Sequence, residues 1–221
     1  MPQRTIVLDL SVLATVSTSR GLGRYASTLA LHLYQRLQTN SSLRLVGLAD
    51  LPLIGPPQLS EDIPACIEAL TLRAKRRTHF SWANRLRLQL GRAVTKAQAD
   101  LVHLVDQKAT PFTEVACPQV ITCHHIRTKT SAAQWYGKKS DGSRSERRRI
   151  ASARRIIAIS RATAQELVTR LDLPLNKIDV VHNGILPERW SPEPQADDPR
   201  TLHKLNLNRD AYILCVGAIN Q

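Results

Sequence analysis

The chain has 221 residues, 43% of them hydrophobic and 22% charged, and its 31 Lys and Arg against 18 Asp and Glu give a formal net charge of +13. Such length and apolar content exclude a disordered chain and suffice for one large or two small domains with a substantial core. The positive surplus favours anionic partners (nucleic acid, an anionic membrane surface, phosphorylated small molecules), while an aromatic content of 4% leaves little material for base-stacking platforms.

The amino terminus, "MPQRTIVLDLSVLATVSTS", resembles a signal peptide only superficially, because Asp9 interrupts the apolar run and no small-x-small cleavage site follows. Within it, Thr5–Leu10 is a β-branched run and predicts a buried strand. Gly21, Gly23 and Ala26 then satisfy the G-x-G-x-x-G/A pattern of dinucleotide folds. About ten residues separate Leu10 from Gly21, however, whereas that fold places its first glycine almost directly after the strand. Two readings remain: a loop that holds something other than a dinucleotide, or a glycine-containing helix entry that only turns the chain.

Leu22, Tyr25, Ala26, Leu29, Leu33 and Leu37 follow helical spacing, Asn40 and Ser41 stop the helix, and Leu43–Ala49 predicts a second strand. A Pro-rich loop follows. From Arg73 to Lys96 the chain then has eight cations and no carboxylate, and Leu86, Leu90, Ala93 and Ala97 recur at helical spacing. The pattern predicts a basic amphipathic helix from Ser81 to Gln98, a composition suited to a membrane surface or to a solvated face.

Asp100–Val105 and Gln119–His125 predict two more buried strands. His103, on one strand face with Leu101 and Val105, reads as a satisfied core histidine. His124 and His125 fall at the carboxyl end of their strand, where open α/β sheets bind ligands. A second basic segment, "SRSERRRIASARR", reads as a loop or surface stretch before the strand Ile156–Ser160. "RATAQELVTRL" predicts a helix with Ser160 as its N-cap. Lys177–Gly184 reads as a strand that ends in the Asn183–Gly184 turn. "ILPERWSPEPQADDPRTLHKLNLNRD" carries four prolines and reads as a linker, and "YILCVG" begins a new strand. The four cysteines, Cys66, Cys117, Cys123 and Cys215, show no metal or C-x-x-C spacing and read as reduced thiols, mostly buried. Strand–helix–strand order predicts an α/β fold: a Rossmann-like open, mostly parallel sheet with helices on both faces.

Four stretches, "RGLGRYASTLALHL", "VITCHHI", "ARRIIAISRATAQELVTRLDLPLNKIDVVHNGI" and "YILCVGAIN", carry a resemblance to the retaining glycosyltransferases of family four, which have the two-domain GT-B fold. The resemblance implies an amino-terminal acceptor-binding domain at 1–184, a linker at 185–210, and at 211–221 the first strand of a nucleotide-sugar-binding domain. That second domain carries most donor contacts in the family, so the resemblance implies that this half does not transfer a sugar alone. It implies no bound metal or cofactor, a nucleotide-diphosphate sugar as donor and a glycan or lipid-linked acceptor. His124 occupies the position that contacts the transferred sugar, and His125 stands where the family usually has Asp. Gly21, Leu22, Gly23, Arg24, Tyr25, His125, Ser160, Asn183 and Gly184 are the expected substrate-facing residues. Arg76, Arg77, Arg85, Arg87 and Arg92 are the expected anion or membrane contacts, on a cytoplasmic protein at the inner face of the membrane. Two alternatives stand beside this reading: a non-catalytic acceptor- or lipid-binding half that needs a partner, and, less favoured, a basic nucleic-acid-binding protein, for which no helix-turn-helix, zinc or RNA-recognition pattern is present.

Overall fold

The apolar runs of the sequence become seven parallel strands in the computed structural model. They are β1 (Arg4–Asp9), β2 (Leu43–Asp50), β3 (Glu68–Leu72), β4 (Leu101–Leu104), β5 (Gln119–Cys123), β6 (Arg155–Ala158) and β7 (Ile178–Val180). The structure describes residues 3–14, 17, 20–39, 42–50, 68–72, 91–92, 94–107, 115–126, 142–184, 198–208 and 211–213. Spatial order is β3-β2-β1-β4-β5-β6-β7, so the winding direction reverses between β1 and β4. At such a switch point the connections leave the carboxyl edge in opposite directions and open a crevice there.

Helices cover both faces. On one side lies α1 (Gly21–Leu37), whose Ala26 and Ala30 are fully buried and whose Leu22, Tyr25, Leu29, Leu33 and Leu37 pack with Leu8, Leu10, Leu45 and Val105. This is the stripe that the helical spacing predicts. On the other side α2 (Gly142–Ser152) and α3 (Arg161–Leu171) bury Ile150, Ala164 and Leu167 against Val7, Val102, Leu104, Ile121 and Ile156. Alternation along β1 and β2 therefore feeds two cores: Val7 and Leu8 are both 0% exposed, yet they belong to opposite faces. Burying both faces is the condition under which a parallel sheet is stable.

Several elements differ from expectation. The "SRSERRR" segment is part of the helix α2, not a loop: Ile150 in its last turn and Ala153 just past its end anchor it, but two apolar residues beside a run of arginines are too few to show a period. β3 was hidden because "EALTL" is short and, at the edge of the sheet, needs no long apolar run. The strands read as Gln119–His125 and Lys177–Gly184 stop at Cys123 and Val180. Of the expected basic helix, residues 91–92 and 94–96 are helical, and Val94 and Ala97 are buried while Arg92 and Lys96 are exposed. Its earlier part, with Arg85 and Arg87, lies outside the described residues, as do Arg76, Arg77, Cys66, Cys215 and most of the "YILCVG" run. Cys123 is buried and free, Cys117 half-buried and free.

The chain divides into two compact units, Met1–Asn183 and Gly184–Gln221. The second contains a short helix, α4 (Asp198–Lys204), inside the stretch read as linker, and its Leu205, Tyr212 and Ile213 are exposed.

Candidate functional site at the carboxyl edge of the sheet

Asp9 at the end of β1, Asp106 and Gln107 just beyond β4, His124 and His125 just beyond β5, and Ser160 just beyond β6 lie along one edge, because all these strands run in parallel. α1 enters the same edge. Its N-cap, Arg20, is extended and makes no side-chain cap bond; the Gly23 amide donates to the Ser17 carbonyl at 3.1 Å. The two glycines are thus the first turn of the helix itself. Gly21 is exposed and a Cβ there meets no atom within 4 Å, while Gly23 is buried against the sheet. Leu22 is half-buried, and Arg24 is exposed.

One turn on, Tyr25 joins the helix to the histidines. Its ring meets that of His124 edge-on, with centroids 4.8 Å apart and planes at 85°. The arrangement sets the positive edge of one ring on the negative face of the other. The Tyr25 hydroxyl lies 3.0 Å from Thr122 Oγ1, which lies 2.9 Å from His103 Nε2. Burial holds the Tyr25 hydroxyl above its usual range, with the Thr122 bond opposing the effect. Burial also depresses His103 to about 4. His103 is therefore a neutral, hydrogen-bonded core histidine, as its place on the strand predicts.

His124 is half-buried, and its Nε2 donates to the Val105 carbonyl at 2.9 Å. A carbonyl only accepts, so Nε2 carries the proton and in the neutral ring Nδ1 presents a lone pair. Among the described residues nothing else takes that nitrogen. The turn that carries both histidines is gripped by the fully buried Gln107: Oε1 accepts from the His124 amide at 3.0 Å and Nε2 donates to the His125 carbonyl at 2.6 Å. His125 itself is exposed.

On the opposite face of the same edge, Asp9 is 0% exposed; Oδ1 accepts from the Ser11 amide at 2.9 Å and Oδ2 has no partner among the described residues. Burial raises its carboxyl, Ser11 opposes that, and the nearby Asp106 adds to the rise. Arg149 of α2 donates to the Gln107 carbonyl at 3.3 Å and feels both Glu146 and Asp106. Cys123, between them, is pushed up to about 12, chiefly by burial, so it is an inert thiol.

Ser160 sits at the same edge, but its hydroxyl accepts from the Thr163 amide at 3.1 Å, the N-cap bond of α3. Asn183 is exposed, and Gly184 falls in the second unit. The structure brings Tyr25 of α1 into contact with His124 beyond β5, and Gly21 and Gly23 stand in the first turn of the same helix. The polar residues that build the site, Gln107, Thr122, Asp9 and Asp106, escape the sequence reading. Their one signal is position: each lies at or just past the end of an apolar run.

The sequence pattern of glycosyltransferase family 4 matches residues 20–189. No curated protein matches the chain by sequence. Among solved structures, the chain is similar to the sucrose-phosphate synthase of Thermosynechococcus elongatus, with TM-score 0.61 and 14% identity over 94% of this chain and 54% of that one. It is similar also to Anabaena HepE, solved in complex with UDP and glucose, with TM-score 0.58 and 18% identity over 92% of this chain and 50% of that one. A UDP-GlcNAc 2-epimerase from Methanocaldococcus jannaschii matches with TM-score 0.50 and 14% identity over 82% of this chain and 45% of that one. The chain spans about half the length of these structures, and identities this low show the fold alone: the Rossmann-like sheet of a GT-B half. The fold is shared with an epimerase, so it does not by itself select sugar transfer. The family match covers most of the chain, from the Arg20 that opens α1 past the end of β7, and the chain belongs to glycosyltransferase family 4.

Proposed function

We propose that this chain is the acceptor-side half of a retaining glycosyltransferase, which moves a hexose from a nucleotide-diphosphate sugar to a glycan or lipid-linked acceptor. The observation that carries the reading is the contact between Tyr25 and His124. It joins the first turn of α1, where the helix dipole favours a phosphate, to a histidine whose Nδ1 can accept from a sugar hydroxyl. HepE, a protein of the same fold, is solved with UDP and glucose, which supports a nucleotide-sugar as donor.

The chemistry proposed for this half is orientation and charge stabilisation. A double displacement needs a carboxylate nucleophile at the sugar. The strand-end position after His124 holds His125, and Asp9 is wholly buried on the other face, with a raised carboxyl that resists ionisation. A same-face route, in which the leaving phosphate takes the acceptor's proton, asks of the protein only that His124 and the α1 turn place the reactants. The remaining donor contacts are proposed to come from a second domain, without which this half is inactive; a non-catalytic half that needs a partner is the second reading.

The test is transfer from a panel of nucleotide-diphosphate sugars by the full-length protein, with the anomeric configuration of the product read by NMR. His124→Ala is expected to lower kcat/KM at least 100-fold. Gly21→Ala is expected to fold at least as well as the parent, because the added methyl meets open space, and yet to weaken donor binding by crowding the amides. Unchanged kinetics in both variants, or an inverted product, overturns the reading. We also propose an anionic membrane surface as partner, through Arg76, Arg77, Arg85, Arg87 and Arg92, at the inner face of the cytoplasmic membrane. No described helix is long and apolar enough to cross a membrane. Binding to anionic but not neutral vesicles, weakened by salt, is the expected result; equal failure with both kinds removes the membrane arm.

A further inference from the structure

We infer that Gln107 is the positioning residue of this site, holding His124 in the one orientation and tautomer that can receive a ligand hydroxyl. The inference rests on the sugar-binding reading above. β4 and β5 pair in register only as far as Leu104 and Ile121, so the backbone ladder has ended before the histidines are reached. In its place stands one side chain. The Gln107 carboxamide offers an acceptor to the His124 amide and a donor to the His125 carbonyl, the same pair of groups that the peptide of a neighbouring strand supplies. It is 0% exposed, so no water competes for these bonds, and its own carbonyl is tied to Arg149 of α2.

With the peptide fixed on that side, the imidazole is fixed on two others: Nε2–H on the Val105 carbonyl and the ring edge-on to Tyr25. Among the described residues these restraints leave Nδ1 as the open acceptor. Release of the backbone grip lets the 124–125 peptide rotate, and the Val105 bond, which sets the tautomer, is lost with it. Gln107 itself touches no substrate in this scheme and acts only through His124.

The experiment uses the full-length protein with Gln107→Met, which keeps the side-chain length and removes both bonds, and Gln107→Glu, which keeps the acceptor for the His124 amide. Long-range 15N–1H spectra of His124 are expected to show the Nε2–H form in the parent, exchange between tautomers in Gln107→Met, and an intermediate pattern in Gln107→Glu. The signals of His103 are expected to stay put in all three. In parallel, kcat/KM for the donor is expected to fall about tenfold or more in Gln107→Met and less in Gln107→Glu. A folded Gln107→Met variant that keeps either the parent's His124 spectrum or its kcat/KM overturns the inference; should that variant not fold, Gln107→Glu is judged by the same two measurements. Loss of the Nε2–H pattern in a protein that transfers no sugar from any donor leaves the positioning intact and defeats the proposed function instead.

Discussion

His103 and Asp9 are two buried titratable residues on opposite faces of the sheet, and they pull stability in opposite directions with pH. His103 is held neutral, its folded value near 4 against an ordinary 6.5. Between those two values the unfolded chain binds the extra proton, so stability falls as pH drops from about 6.5 towards 4 and levels off below. A displacement of that size corresponds to on the order of 3 kcal/mol at most. His103→Gln retains an amide that can reach Thr122 and removes the titration, so its urea midpoint is expected to lose this acid-side slope. Asp9 runs the other way: its folded value lies above the ordinary 3.8, so its contribution is present below that pH and is lost as pH rises through the folded value. Asp9→Asn keeps the acceptor for the Ser11 amide and is expected to gain on the parent as pH rises from 4 to 8. Urea midpoints of the parent and both variants across pH 4–8 separate the two residues, and parallel profiles for all three would refute both assignments.

At the scale of elements, α3 shows how a local signal and the tertiary structure agree. Ser160 caps it, Thr163, Ala164 and Leu167 form its buried stripe, and Asp172 ends it in the left-handed region at φ 54°. All of this is legible in "SRATAQELVTRLD", because caps and stripes are properties of adjacent residues. Ser160→Ala is expected to cost about 1 kcal/mol in stability and, since the hydroxyl is already engaged with the Thr163 amide, to leave kcat/KM for the donor within about twofold. A larger kinetic loss at unchanged stability would give the Ser160 hydroxyl a part in substrate binding beside its capping role. α2 shows the converse. Its run of arginines hides a helix that reaches the core through Ile150 in its last turn and Ala153 just beyond its end, a fact of packing and not of spacing. The site divides in the same way. His124 and the glycines could be picked out because they interrupt a strand end and open a helix. Gln107 and Thr122 could not, because their roles depend on partners 17 and 97 residues away, His124 and Tyr25.

For the first unit as a whole, the sheet is a wall shared by two cores, and this links their fates. β1 and β2 contribute alternate residues to both faces, so loss of packing under α1 removes support from two strands that also complete the core beneath α2 and α3. Leu8 represents the first core and Ile156 the second, both with 0% exposure and on strands separated by β4 and β5. Truncation of either to Ala removes buried methylenes and leaves a cavity, a loss of about 2–5 kcal/mol in closely packed interiors. If the sheet couples the cores, Leu8→Ala and Ile156→Ala lower one common denaturation midpoint, and it is the same whether read from far-UV circular dichroism or from amide exchange on the face that was not mutated. Two transitions, each sensitive to only one of the substitutions, would mean that the faces fold independently. The strand ends that carry Asp9, Gln107 and His124 would then lose their support with whichever face fails first.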